Sequence, residues 1–240
     1  WFPRPYFFQS LGLSQSTVSV RSEFLASSSF QFVNPRHHVA GTDTVSQVFP
    51  ESAVAGLSDE EVLALFSRGF FGGFVFAFER TALRVGGWRL LPAHYTGEQL
   101  SRLACSFANI SAIGFKDDPG ASLIWNTSEL SNINLPPVGS CLFGSFKVLD
   151  KQIPLESSEK RPSYVDYGFG SDEFEFAGCH RFQITRLRRA NDKPLVQLEL
   201  QGFHCNPQKN QPSGGNLLEW FNYIYAKLLF ANGVQSVLLR

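Results

Sequence analysis

Two neighbouring pairs, Cys179-His180 and His204-Cys205, have the residue types for nucleophilic or acid–base chemistry. A thiolate nucleophile needs a base within hydrogen-bond reach. Both pairs lie in stretches that read as β-strand, where adjacent side chains point to opposite faces, so neither pair can form a dyad with itself. Pairing across strands stays open: His180 can meet His204 or Cys205 if their strands are neighbours. A strand cysteine is ordinarily an inert small hydrophobe. His180, His204 and Tyr167 are therefore the catalytic candidates, each as an acid or a base.

These residues belong to a segment with an unusually specified look, Tyr164 to Phe182 (YVDYGFGSDEFEFAGCHRF), and to its partner strand. Asp166, Asp172, Glu173 and Glu175 place four carboxylates in the segment. Two could divide acid and base roles if their environments separated their pKa values. The plainer reading is a solvated strand edge, with Glu173 and Glu175 on one face and Phe174 and Phe176 on the other. Tyr164, Tyr167, Phe169, Phe182, Phe203, Trp220 and Tyr223 supply aromatic surface with hydroxyls and an indole to orient a ligand, and are the ligand-binding candidates.

No metal site or cofactor is expected. Cys105, Cys141, Cys179 and Cys205 are scattered without a CxxC spacing, and His37-His38, near Asp43, lacks further convergent ligands. The sequence has no phosphate-binding loop, dinucleotide fingerprint or nucleophile elbow. His94-Tyr95 reads as a loop or mouth pair with no mechanism attached.

Twenty-one acidic residues balance 21 basic ones, so the chain has no net field to steer it onto nucleic acid or an anionic surface. Arg186, Arg188 and Arg189 form a short basic patch that reads as a solvated strand end. No apolar run approaches the length of a membrane span. The opening WFPRPYFFQS has the wrong chemistry for a signal-peptide core, and a chain of this size does not need disulfides. The expectation is a cytoplasmic protein with reduced thiols. The sequence contains no methionine, which reads as processing or a missing start.

The elements that must position the candidates follow from punctuation and period. Residues 1–50 are rich in Ser, Phe, Val and Thr without a sustained period. They read as a partly ordered extension with two weak strands, Thr17–Val20 and Ser29–Val33. Ser58-Asp59-Glu60-Glu61 is a capping box ahead of an apolar face. Glycines at 69, 72 and 73 predict two helices, 59–68 and 70–84, the second apolar nearly all round and so buried against a sheet.

Candidate strands are Ser111–Phe115, Ala121–Trp125, Val138–Leu149, Tyr164–Phe169, Cys179–Arg188 and Leu195–His204, with ANDKP as a hairpin loop between the last two. A long helix opens at Leu217. Strands in a run followed by a helix argue α+β. The predicted architecture is a curved antiparallel sheet with an N-terminal helix pair and a long C-terminal helix, helix-grip-like, as one domain over residues 51–240.

YGFGS and AGCHRF, followed by LELQGFHCNP and a long aromatic-rich helix, resemble the domain-of-unknown-function family nineteen-ninety. The likeness runs from about Leu57 to Leu239. Tyr167, Gly168 and Gly170 fit the family's Tyr-Gly turn; Gly178, Arg181 and Phe182 fit its next strand. Phe203 and Pro207 fit the strand ending in Phe-Ser-x-Pro, and Trp220 and Tyr223 the closing helix. The resemblance implies a fold near the START and Bet v 1 helix-grip group. Cys179 and His180 stand where the family has paired glutamates, so carboxylate chemistry at those positions does not carry over.

The function expected first is binding of a hydrophobic small molecule in a cavity between sheet and C-terminal helix. A cofactor-independent tailoring enzyme of cyclase, isomerase or hydrolase type, using the same cavity, and an interaction scaffold are the alternatives.

Overall fold

The computed structural model describes residues 20–86, 93, 95, 117–154, 161–187, 193–212 and 216–240, with side chains from residue 224 onward in the last stretch. Its frame is a curved, open sheet of seven strands with helices on both faces. The strands are β1 (Ala40–Pro50), β2 (Leu123–Ile124), β3 (Cys141–Leu142), β4 (Phe146–Gln152), β5 (Ser163–Gly170), β6 (Ala177–Leu187) and β7 (Leu195–Cys205). Their order across the sheet is β1-β7-β6-β5-β4-β3-β2; every pairing is antiparallel except β2 with β3. The architecture is the helix-grip-like α+β arrangement expected from the element order.

Two short helices, α1 (Ser22–Leu25) and α2 (Ser28–Val33), precede β1. The strand expected at Ser29–Val33 is thus a helix, started by the Ser27 side chain, which accepts a hydrogen bond from the Phe30 N–H. Of the other weak strand, residues 17–19 lie outside the described residues, as does the strand expected at Ser111–Phe115. β1 joins residues 40–50 to the sheet through eleven register pairs with β7, from Ala40↔Cys205 to Pro50↔Leu195.

Helix α3 (Asp59–Gly72) begins where the capping box predicts. The Ser58 Oγ accepts from the Glu61 N–H at 3.2 Å, and Glu61 Oε2 accepts from the Ser58 N–H at 2.7 Å. It runs through Gly69 instead of stopping there. A Cβ at Gly69 would fall 2.6 Å from the Asn232 carbonyl oxygen of α5 (Asn216–Leu238), so this glycine is an inter-helix contact point and not a breaker.

The second helix, α4 (Ala77–Gly86), starts later than expected and is not buried all round: Phe78 stands in solvent. The apolar run that suggested burial straddles the end of α3 and the bend before α4. Phe70, Phe71 and Phe76 turn inward while Phe74 turns out. Likewise Val138–Leu149 is not one strand. Positive φ at Gly139, Phe143 and Gly144 folds it into turns that separate β3 from β4.

One face of the sheet packs on α3 and α5 through interlocked rings. Phe66 meets Phe182 edge-on at 4.8 Å and Phe230 at 5.4 Å; Phe71 meets Tyr167 at 5.0 Å. This is the inner face here. The other face is covered by α1 and α2, whose Phe24 and Val33 are fully buried against Cys179, Phe203 and Leu149. Beneath them lies a polar layer. Arg181 donates to both oxygens of Asp166 at 2.7 Å, and its guanidinium stacks 3.8 Å from the Tyr164 ring centroid. Glu199 accepts from Arg21 at 2.8 Å and from Gln183 at 3.2 Å.

Candidate functional site

Strand alternation sorts the candidates before any chemistry does. On β6, Cys179 packs with Phe24 on the outer face and His180 stands 4.8 Å from the Phe169 ring on the inner face. On β7, His204 faces Phe176 at 6.2 Å, and the buried Cys205 takes the other side. Neither cysteine is poised to react: burial pushes the Cys179 thiol well up and that of Cys205 up to about 12. Cys179 and Cys205 are free thiols.

The two histidines share a face on adjacent strands but do not stand opposite each other. β6 and β7 are neighbours, with His180 opposite Gly202 and His204 opposite Gly178. Extending these rows over four strands gives Asp43–Gly202–His180–Tyr167 and, one step along, Gly41–His204–Gly178–Phe169. Over β1, β7 and β6 side chains and glycines alternate like a checkerboard, and Asp43, His180, His204 and Phe169 each lean over a neighbouring glycine. A Cβ at Gly202 would lie 2.4 Å from Asp43 Oδ1 and 3.3 Å from His180 Nδ1; one at Gly41 would lie 2.6 Å from His204 Nε2. Asp43 and His180 thus fill the space over Gly202, and His204 fills that over Gly41.

Electrostatics set this patch apart from the packed core beside it. Burial, helped by the neighbouring His204, lowers the His180 pKa to about 4, so its imidazole is neutral at pH 7. Its Nδ1 is buried without a hydrogen-bond partner among the described residues. Burial also raises the Asp43 carboxyl above its ordinary range, while attraction to His204 pulls the other way. Phe70 and Phe169 wall the His180 ring at 6.0 and 4.8 Å. Tyr167 donates its hydroxyl to Ser67 Oγ at 3.0 Å, and burial drives its pKa far above neutrality. Its proton is therefore held, not shuttled.

The aromatic candidates do not share one face. Tyr167, Phe169 and Phe182 are inner. Phe203 packs on Phe24 and Phe30 at 5.3 and 4.7 Å on the outer side, and Tyr164 stacks on Arg181 there and donates to Asp150 at 2.8 Å. The Trp220 and Tyr223 side chains lie outside those described. The four carboxylates also separate. Asp166 is buried against Arg181, while Glu173 and Glu175 are exposed in the β5–β6 turn, where Glu175 pairs with Lys209. Arg186 is no free strand end, since it binds Asp59 and Glu51, each at 2.7 Å. Among the described residues, no group of three His, Cys, Asp or Glu side chains could hold a metal ion.

The sequence drew attention to Asp43 only as a neighbour of His37-His38, and not to Gly41 or Gly202 beside the histidines. The signal in the sequence was the spacing of Gly178, Gly202 and Gly41 against His180 and His204, legible only once β1 is paired with β7. No family model, curated protein or solved structure matches the chain. No single described helix is long and apolar enough to cross a membrane.

Proposed function

We propose that the protein binds a small, largely apolar molecule between the sheet and α5, with one hydrogen-bonding group of that molecule seated on the Asp43–His180–His204 patch. The observation that carries this reading is the unpartnered, buried Nδ1 of His180. A buried polar atom left without a partner costs roughly 1–3 kcal/mol, so a site that keeps one invites a ligand to satisfy it. The middle of the inner face is filled by the Phe66, Phe70, Phe71 and Phe182 rings in mutual contact. That packing favours the checkerboard end of the sheet as the ligand's seat, where Phe70 and Phe169 give apolar walls beside His180.

A cofactor-independent tailoring enzyme is the second reading, favoured by the nearness of the Asp43 carboxyl and the His204 imidazole on one face of the sheet. Binding is preferred because His180, with a pKa near 4, is a weak base at neutral pH, and Tyr167 keeps its proton. The helix-grip likeness of the family nineteen-ninety motifs agrees with a ligand-holding fold and contributes no activity.

The two readings part on one variant. In fluorescence titration with the neutral lipophilic dye Nile red, His180→Ala should weaken binding by no more than about tenfold, the worth of one hydrogen bond. Loss of a general acid or base would instead cost about 10²–10⁴ in the rate of any turnover found. No dye binding by the wild-type protein would count against both.

A further inference from the structure

The bend between α3 and α4 turns two phenylalanines out into water. Phe74 is 85% exposed in the bend and Phe78 86% exposed in the first turn of α4, the most exposed large hydrophobics among the described residues. The two helices meet at 70°, and both rings stand out into water at or just after the bend. The adjoining segment 123–133 adds Leu123 and Ile133, 62% and 57% exposed.

Three arginines flank the elbow, and every acceptor they reach is neutral. Arg80 donates to the Phe71 carbonyl at 2.7 Å, closing the C-terminal end of α3. Arg84 donates to the Trp125 carbonyl at 2.7 Å and to Asn126 Oδ1 at 3.0 Å; Arg68 donates to Asn132 Oδ1 at 2.6 Å. Partial burial, helped by the neighbouring Arg84, lowers the Arg80 pKa from its ordinary value. The ion pairs among the described residues involve Arg21, Lys147, Lys151, Arg181, Arg186 and Lys209, none of them here. Among the described residues the local carboxylates form no ion pair with these arginines: Glu79 accepts from the Tyr225 hydroxyl at 2.7 Å, and Glu129 from the Asn126 N–H at 2.8 Å.

From this juxtaposition we propose that the α3–α4 elbow docks on an anionic lipid surface, with Phe74 and Phe78 inserted at the headgroup boundary and Arg68, Arg80 and Arg84 facing lipid phosphates and carboxylates. A protruding aromatic wedge suits a deformable bilayer, where a protein partner would have to offer a matching socket. Unneutralised guanidinium groups beside the wedge select anionic over zwitterionic lipid. No helix crosses the bilayer in this arrangement, in keeping with the absence of a long enough apolar helix among those described. The inference does not depend on the His180 patch.

The test is co-sedimentation of the full chain with vesicles of 70% phosphatidylcholine and 30% phosphatidylserine, and with pure phosphatidylcholine. The proposal expects binding to the first, at least about tenfold weaker binding to the second, and weakening by salt on the scale set by charge screening. The double variant Phe74→Ser/Phe78→Ser should lose about tenfold or more in vesicle affinity at an unchanged unfolding temperature. Arg68→Gln/Arg84→Gln should lose the preference for phosphatidylserine. No binding to anionic vesicles overturns the proposal, as does binding that the Phe74→Ser/Phe78→Ser variant leaves intact. A drop in unfolding temperature in that variant also overturns it, because the two rings would then be covered by another part of this chain.

Discussion

His180 is neutral because the sheet and the Phe70 and Phe169 rings withhold water from it, and that neutrality has a consequence for stability. Its folded pKa of about 4 lies below the ordinary 6.5, so the unfolded chain binds the proton more readily. Its contribution is complete above pH 6.5 and is lost as pH falls toward 4. Each pKa unit is worth about 1.4 kcal/mol, which sets an upper bound on the order of 3 kcal/mol. Asp43, raised by burial, works in the opposite direction: it favours the folded state at low pH and loses that contribution as pH rises through its folded pKa. Urea denaturation between pH 7 and 4.5 should therefore show falling stability in the wild type and a flatter profile in His180→Phe. Parallel profiles would place the imidazole in water. On the outer face, Asp166→Asn leaves the 4%-exposed Arg181 without its counter-charge, so a loss of about 3–5 kcal/mol is expected by equilibrium denaturation. Replacing both partners by apolar residues should recover much of it.

Among the elements, the α3–α5 contact decides how closely the long helix can approach. An ordinary helical Gly→Ala change gains about 1 kcal/mol of propensity. At Gly69 the added Cβ would meet the Asn232 carbonyl oxygen at 2.6 Å and Ser236 Cβ at 2.5 Å, atoms that cannot swing away freely. Overpacking costs about 1–3 kcal/mol, so Gly69→Ala should lower stability on balance; a stabilised variant would mean the helices sit further apart. The same position shows where sequence patterning ran out. A glycine inside an apolar run signals a break until the partner that needs it is known. The capping box at Ser58 and the alternation along β6 and β7 were legible because they are local. β1 was not, because Thr44, Ser46 and Gln47 are buried polar residues in a strand covered on both faces, which erases the alternation. With β1 hidden, the place of Asp43 was hidden too. His180 and His204 could be named from residue type, but only their strand register placed them on one face.

Taken whole, the molecule is a sheet with two unlike coats: aromatic helix packing on the inner face, and on the outer face α1 and α2 over a charged layer. The N-terminal coat is fastened by apolar burial as well as by Arg21, which makes it part of the folded unit. Phe24→Ala should accordingly cost about 3–5 kcal/mol, as core phenylalanines do; a near-neutral effect would show that residues 20–34 leave the sheet readily. The proposed seat for a ligand is the checkerboard of Asp43, His180 and His204 at one end of the inner face, beside the ring-filled middle. The most direct test is native mass spectrometry of the protein purified from its own host, followed by solvent extraction. The account predicts one discrete apolar mass bound one-to-one. A clean ligand-free mass, with no lipophilic probe taken up either, would contradict it.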